Sequence, residues 1–433
     1  MRMSSIRPPY PDSSPAWHHI RDRFALIKVA NADETTTHID TIDVKSSGDA
    51  VAIQSCNDKA RGRRLVYVSP VGSLGGGEQV LHEVARGARR VGYSVSFICL
   101  RPGEFPDRLR DDRFATSVFQ EHRFRNLWTV HAGRAFVAEI LRREKADLAH
   151  VNHTGWIYCL KAKCPVVLHV HDYPYRFDIM DLVHRLWKPR NVIFTSPHVR
   201  SGYPHLHQCP HSTTILPVIS SEAEKDTSDA QGQNATLQAM KLVPNRYFLT
   251  VARLQPHKGL LDFLHAIRLT GDLAKDFVFA IAGKATGPLQ LAHERELRDF
   301  CKTNRMAHQV RFLGFVSDSE LRILYRNAYS LIHPAHSEGF GLVVLEAMRH
   351  GLPIITTDAE GPKLMVQDEV SGLVCRVGDA VGLARSISKL TTSAQLRERM
   401  AKEALNKSKL YSSTRMVSET LAFYENILAS GPC

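Results

Sequence analysis

Two carboxylates eight residues apart stand in the run His333-Pro334-Ala335-His336-Ser337-Glu338-Gly339-Phe340-Gly341-Leu342-Val343-Val344-Leu345-Glu346-Ala347-Met348. The pattern reads as a strand running into a glycine-flanked loop and on into a helix, with Glu338 in the loop and Glu346 in the helix. Gly339 and Gly341 leave the backbone unobstructed, and the first amides of a helix have no partner within it, so they can turn to a phosphate or a sugar hydroxyl. A carboxylate at such a place can accept two hydrogen bonds from a vicinal diol such as that of ribose. The plain alternative is that Glu338 caps the helix and Glu346 lies on the surface; a Glu-x7-Glu spacing alone does not decide between them.

A second run, Val251-Ala252-Arg253-Leu254-Gln255-Pro256-His257-Lys258-Gly259, places two cations five residues apart where a strand ends and a helix begins. An arginine can grip a diphosphate with two parallel hydrogen bonds, and a lysine adds a mobile point charge. Fixed cations there would stabilise charge growing on a departing phosphate; two solvated surface cations are the simpler reading. Gly75-Gly76-Gly77 lies between a strand and a helix, where glycines let an anion or substrate approach closely. It is neither the dinucleotide GxGxxG nor the phosphate-binding GxxxxGK[ST] loop, which weighs against a plain dehydrogenase and against an NTPase. In His169-Val170-His171-Asp172 each histidine is either a cleft group at the carboxyl end of a strand or a satisfied core residue.

These residues need elements to hold them. Leu65–Ser69 and Val95–Leu100 read as strands flanking a helical pattern at Val80, Leu81, Val84, Ala85 and Ala88, whose end Gly87 and Gly92 punctuate. With helical 136–141 and strands at 148–152, 166–171 and 192–195, this is an α/β domain with a parallel sheet over 61–220. Residues 221–240 are polar, without strand and with only weak helix signal, and read as a linker. The rhythm restarts over 241–410: strands at 247–251, 277–283, 310–314, 330–332 and 353–357 alternate with helices at 260–269, 289–304, 319–328 and 342–350, and two helices follow at 379–390 and 394–409. Residues 411–433 carry an amphipathic helix, Ser413 to Leu428, suited to packing back across the domain junction, whereas 1–60 read as a flexible extension. The fold class is thus α/β, two doubly wound Rossmann-like domains with a crevice at their strand ends.

The 433 residues exceed one ordinary domain, and 43% hydrophobic with 23% charged residues is a globular composition. No apolar run reaches membrane-spanning length, and Met1–Tyr10 lacks the apolar core of a secretory signal, so a cytoplasmic protein is expected. The eight cysteines include no CxxC pair; neither a zinc site nor a disulfide framework is expected, and reduced thiols are. Of the net charge of +12, +10 falls in 61–220, with 23 Lys and Arg against 13 Asp and Glu, which favours anionic partners. No helix-turn-helix, zinc-finger or RNA-binding aromatic motif accompanies the charge, so nucleic acid is not an expected partner.

Taken in this order, the motifs resemble the family-4 glycosyltransferases, retaining enzymes of the GT-B fold, across about 63–428 and most strongly over 247–376. The resemblance implies that Arg253 and Lys258 grip the donor diphosphate. It implies that Glu338 lies near the donor sugar and Glu346 holds the ribose, with Gly339, Phe340, Gly341 and Leu342 forming the sugar-contacting loop and helix start. Gly76 and Gly77 would face the phosphates and the acceptor, His171 the reacting carbon, and Gly283 the nucleotide base. Departures from the family pattern are Asp358-Ala359-Glu360-Gly361-Pro362-Lys363-Leu364, where a frequent Glu falls on Leu364, His257 in place of an acidic residue, and Ala285-Thr286 after Gly283. They leave the diphosphate grip intact and the base and sugar open.

The implied function is retaining, metal-independent transfer of a hexose-type sugar from a UDP- or GDP-linked donor to a glycan or lipid-linked acceptor, in cell-surface polysaccharide synthesis, with no cofactor. The basic first half suits peripheral contact with an anionic membrane at the inner face. The alternatives are a degenerate sugar-nucleotide-binding protein without turnover, and another GT-B enzyme such as an epimerase or phosphorylase.

Overall fold

The computed structural model describes residues 62–119, 127–174, 179–219 and 230–430. The extension 1–60 and the first part of the expected linker lie outside the described residues, as do Cys56 and Cys433. The other six cysteines are free thiols.

The first half is a seven-stranded sheet in the order β3-β2-β1-β4-β5-β6-β7, every pairing parallel. Its strands are β1 (Arg64–Ser69), β2 (Ser94–Cys99), β3 (Ala115–Val118), β4 (Leu148–Asn152), β5 (Val166–Val170), β6 (Asn191–Phe194) and β7 (His211–Thr214). The second half is a six-stranded parallel sheet in the order β10-β9-β8-β11-β12-β13. These are β8 (Tyr247–Val251), β9 (Val278–Ala282), β10 (Val310–Gly314), β11 (Ser330–His333), β12 (Ile354–Thr357) and β13 (Gly372–Cys375). The central strands β1, β4, β5, β8, β11 and β12 are almost wholly buried, as apolar runs covered by helices on both faces must be. In each sheet the order reverses beside the first strand, between β1 and β4 and between β8 and β11, and the crevice that opens there is where ligands bind such folds.

Three features depart from the sequence reading. Edge strands β3 and β7 and the terminal β13 went unread. ATSV and HSTT are short, polar and half-exposed, so they lack the apolar run that marked the central strands. The segment taken as linker contains a helix, Ala230–Ala239, and Leu237 is buried in the core with Leu242. Its composition is weakly helical, and one apolar anchor decides the matter through packing. Gly87 does not end its helix, which runs from Gly76 to Arg90. A Cβ at Gly87 would lie 2.3 Å from Val417 Cγ1, so the glycine is where the C-terminal helix, Ser413–Ala429, closes against the first half. There Glu425 pairs with Arg63 at 2.7 Å and accepts from the Tyr93 hydroxyl, and the Tyr424 hydroxyl meets His150. Gly92, with φ of 97°, marks the turn after the helix.

Candidate active site

Apart from His169, which lies within β5, the residues singled out in the sequence come from the loops that follow β1, β5, β8, β9 and β11 and from the helices those loops open. In the second half, β8 leads into the loop that carries Arg253 and Lys258. Leu254 is buried and anchors that loop, and a short 3-10 turn, Pro256–Lys258, follows. Gly259 then adopts φ of 67°, and a Cβ on it would lie 1.9 Å from the Pro334 carbonyl oxygen, so only glycine lets this loop meet the exit of β11. The His336 amide donates to the His257 carbonyl at 2.8 Å and ties the two loops together.

That tie sets Lys258 Nζ 2.8 Å from Glu338 Oε2, with the two side chains only 12% and 19% exposed. His333 Nε2 lies 3.2 Å from the same oxygen. Burial would raise the Glu338 carboxyl, but the Lys258 ammonium and His333 together hold it well below the usual carboxylate range. Glu338 is therefore a fixed anion and does not cap the following helix. That helix, Leu342–Arg349, starts from Gly341 at φ of 94° without a side-chain cap, which leaves its first amides to face outward. Gly361 packs the loop from behind: its amide donates to the Glu338 carbonyl at 3.2 Å, and a Cβ there would lie 2.6 Å from that oxygen. Phe340 turns its ring into the core, 6.0 Å from that of Tyr411, so only its backbone is available to a ligand.

Arg253 is exposed, and among the described residues no ion pair holds it. Its charge is felt by Glu78 in the first half. Burial of His257 and the neighbouring Lys258 push its imidazole down to about 4, so it is neutral beside the two cations. Glu346 is not on the surface. Its Oε2 accepts from the Tyr325 hydroxyl at 2.9 Å, and burial, aided by Asp318, pushes its carboxyl up to about 7. Gly283 serves the sheet: at φ of 146° a Cβ would lie 1.9 Å from the Ala252 carbonyl oxygen, and its amide donates to the Gly314 carbonyl at 2.7 Å.

In the first half the glycine turn opens the Gly76–Arg90 helix. A Cβ on Gly77 would lie 3.4 Å from His171 Cδ2, and one on Gly76 would lie 3.1 Å from Leu342 Cδ1 of the other half. A Cβ on Gly339 would lie 2.4 Å from the His171 carbonyl oxygen. Glycines on both sides thus let the two halves approach around His171. Of the two histidines, His169 is the core residue, buried and 3.1 Å from His150, whereas His171 is half-buried against Gly77 and the Gly339 loop.

Four residues of the site went unread: Glu78, Asn152, His333 and Tyr325. Glu78 follows the glycine triplet directly and Asn152 ends a strand, so their positions carried a signal; Tyr325 is brought in from a helix whose pattern spoke only of packing. Among the described residues no group of three or more His, Cys, Asp or Glu could hold a metal ion, and no helix is long and apolar enough to cross a membrane.

The family model described as Glycosyl transferases group 1 matches residues 238–407, and the one described as Glycosyltransferase Family 4 matches 74–217. The chain is similar to a D-inositol 3-phosphate glycosyltransferase of Salinispora tropica, 31% identical over 193 residues that cover 43% of this chain and 40% of that protein. It is also similar to the O-antigen chain mannosyltransferase C of Escherichia coli, 22% identical over 386 residues, 83% of this chain and 96% of that one. The chain thus spans about two fifths of the length of the first of these relatives. Anabaena HepE, solved in complex with UDP and glucose, superposes with a TM-score of 0.71 at 19% identity, covering 84% of this chain and 99% of that one. WaaG, a glycosyltransferase involved in lipopolysaccharide biosynthesis, does so at 0.64 and 17%, covering 85% and 100%. At such identities what is shared is the fold, and the fold is GT-B.

Proposed function

The chain belongs to the group 1 glycosyltransferases of the family-4 type, and from that premise we propose that it transfers a hexose-type sugar from a UDP- or GDP-linked donor to a glycan or lipid-linked acceptor with retention at the anomeric carbon. The observation that supports this reading is the close approach of the Glu338–Gly341 loop of one half, with Lys258 on Glu338, to Gly76, Gly77 and His171 of the other: a Cβ on Gly339 would lie 2.4 Å from the His171 carbonyl oxygen and one on Gly76 would lie 3.1 Å from Leu342. The donor's diphosphate lies against Arg253 and Lys258, its ribose at Glu346, and its sugar between the Gly339–Gly341 backbone and His171. The bond from the anomeric carbon to the diphosphate breaks, and the acceptor oxygen bonds to that carbon on the same face. The acceptor's proton passes to the departing phosphate oxygen. Arg253 and Lys258 offset the growing phosphate charge, so the step draws on no metal.

HepE, with UDP and glucose bound, and the O-antigen mannosyltransferase support a nucleotide-sugar donor and a role in cell-surface polysaccharide synthesis. The same reading places the protein at the inner face of an anionic membrane. Leu182, Leu186 and Trp187 are 55%, 63% and 49% exposed, and the exposed cations Arg185, Lys188 and Arg190 are interleaved with them. Apolar groups flanked by cations suit an anionic lipid surface.

The test is a thermal-shift screen against UDP, GDP, ADP and their sugar conjugates. A ligand at 100 times its Kd adds about 2.7 kcal/mol to the folded state. One responding nucleotide, with the response lost in Arg253→Ala, is expected; no response from any of them would overturn the donor site.

A further inference from the structure

His171 stands where the reading above puts the reacting carbon, but an imidazole can act there in two neutral forms, with its proton on either nitrogen. The side chains behind it remove that freedom. Its Nε2 lies 3.0 Å from Asn152 Oδ1. Asn152 ends β4, the strand paired with β5, in register with His169 two residues before His171. The Asn152 amide is oriented in turn, because its Nδ2 donates to Glu78 Oε1 at 3.1 Å. Glu78 lies in the first turn of the Gly76–Arg90 helix and is only 8% exposed. Its other neighbours are the Ser69 hydroxyl, 3.4 Å from the same oxygen, and the charge of Arg253.

The logic is one of donors and acceptors. A carboxylate only accepts, so Asn152 must turn its NH2 toward Glu78 and its carbonyl oxygen toward His171. An amide oxygen also only accepts, so His171 must carry a proton on Nε2. The lone pair of the neutral ring is then on Nδ1. The ring is held flat by His169, whose centroid is 4.2 Å away at an angle of 33°, and by Gly77, whose missing side chain leaves room for its edge. We propose that Glu78 and Asn152 are positioning residues that fix His171 as the Nε2–H tautomer, in which Nδ1 is the proton-accepting nitrogen of the neutral ring. The inference rests on the functional reading above for what His171 faces, but not for which tautomer it adopts.

The chain of bonds also explains why a carboxylate sits buried just after the glycine turn. Burial raises the Glu78 carboxyl, and the bonds from Asn152 and Ser69, with the Arg253 charge, oppose that rise. Of the described groups that titrate, His169 lies beside the His171 ring and Glu78 reaches it through Asn152.

The full chain labelled with nitrogen-15 and carbon-13 histidine reports the tautomer by ring shifts, measured about 2 units above the ordinary histidine value so that the ring is neutral. A His171→Gln variant assigns the signal. The wild-type protein should show Nε2–H. In Asn152→Ala and Glu78→Leu the signal should move to Nδ1–H or a mixture, whereas Glu78→Gln, whose amide oxygen still accepts from Asn152, should keep Nε2–H. With whichever sugar nucleotide responds in the thermal screen, Asn152→Ala should lower kcat at least about tenfold and move KM for the donor by less than about threefold, because an orienting hydrogen bond acts on the reacting geometry and not on donor affinity. An Nδ1–H signal in the wild type, or an unchanged signal in Asn152→Ala, overturns the proposal. Should a variant fail to fold, the wild-type and Glu78→Gln spectra still decide. A correct tautomer in a protein that turns over no sugar nucleotide would sink the functional reading and leave the positioning pair standing.

Discussion

Replacing Lys258 with methionine isolates the ion pair at the centre of the Arg253–Gly259 loop. The substitution keeps most of the side-chain volume and removes the charge, and it leaves Glu338 an anion with only His333 beside it. An exposed pair is worth about 0–1 kcal/mol, and stripping one partner from a buried pair costs about 3–5 kcal/mol. With side chains 12% and 19% exposed the pair lies near the buried limit, and His333 compensates in part. The expected loss at neutral pH is therefore about 2–4 kcal/mol. For a domain of about 150–250 residues each kcal/mol moves Tm by roughly 2–4 °C, so melts should show a drop of roughly 5–15 °C. The pH dependence has a definite sign. The folded Glu338 carboxyl is held below the ordinary glutamate value of 4.5, so the pair's contribution is fully present above that value and is lost as pH falls through and below it. The gap between wild type and Lys258→Met should therefore narrow in acid. The double variant Lys258→Met with Glu338→Gln should be less destabilised than the two single changes summed, by about 0.5–3 kcal/mol. A Tm for Lys258→Met equal to that of the wild type at neutral pH would refute the claim that the pair organises this loop.

Further outcomes follow from the same geometry. Arg253 is exposed, so Arg253→Ala should leave Tm nearly unchanged while lowering kcat by more than about tenfold in initial-rate assays; near-normal turnover would remove it from the site. The Glu346 carboxyl is pushed up to about 7, so the anion that we propose binds the ribose forms as pH rises through that value. Calorimetric nucleotide affinity should weaken up to about tenfold per unit below it, and Glu346→Gln should flatten the profile. Gly87→Ala puts a methyl 2.3 Å from Val417 Cγ1 and should cost about 1–3 kcal/mol in denaturant titrations, of which Val417→Ala should restore most. Low-salt sedimentation with anionic vesicles should capture the wild-type protein and release a Leu186→Ser, Trp187→Ser variant; equal capture of both would move the membrane contact elsewhere.

The sequence by itself determined the alternation of buried strands and helices, because a strand covered on both faces must be an apolar run of four to six residues, and Leu65–Val68 and Phe279–Ala282 are such runs. It also located the loops at strand ends, because glycines at 75–77, 259, 339 and 341 mark where the backbone must turn or be approached closely. It could not determine which polar side chains face one another. Arg253 and Lys258 looked alike in sequence, yet one is an exposed cation and the other is half of a shielded pair, since the Gly259 contact with Pro334 turns only Lys258 toward Glu338. His169 and His171 both ended a strand reading; the two-residue alternation of side chains puts both on one face, and only the packing of His150 behind and Gly77 in front separates a core ring from a cleft ring. Edge strands, the Ala230–Ala239 helix and the contact of Gly87 with Val417 belong to the same class. Each is decided by a partner distant in the chain, so its free energy is absent from any local window and appears only once the two halves and the returning helix are assembled.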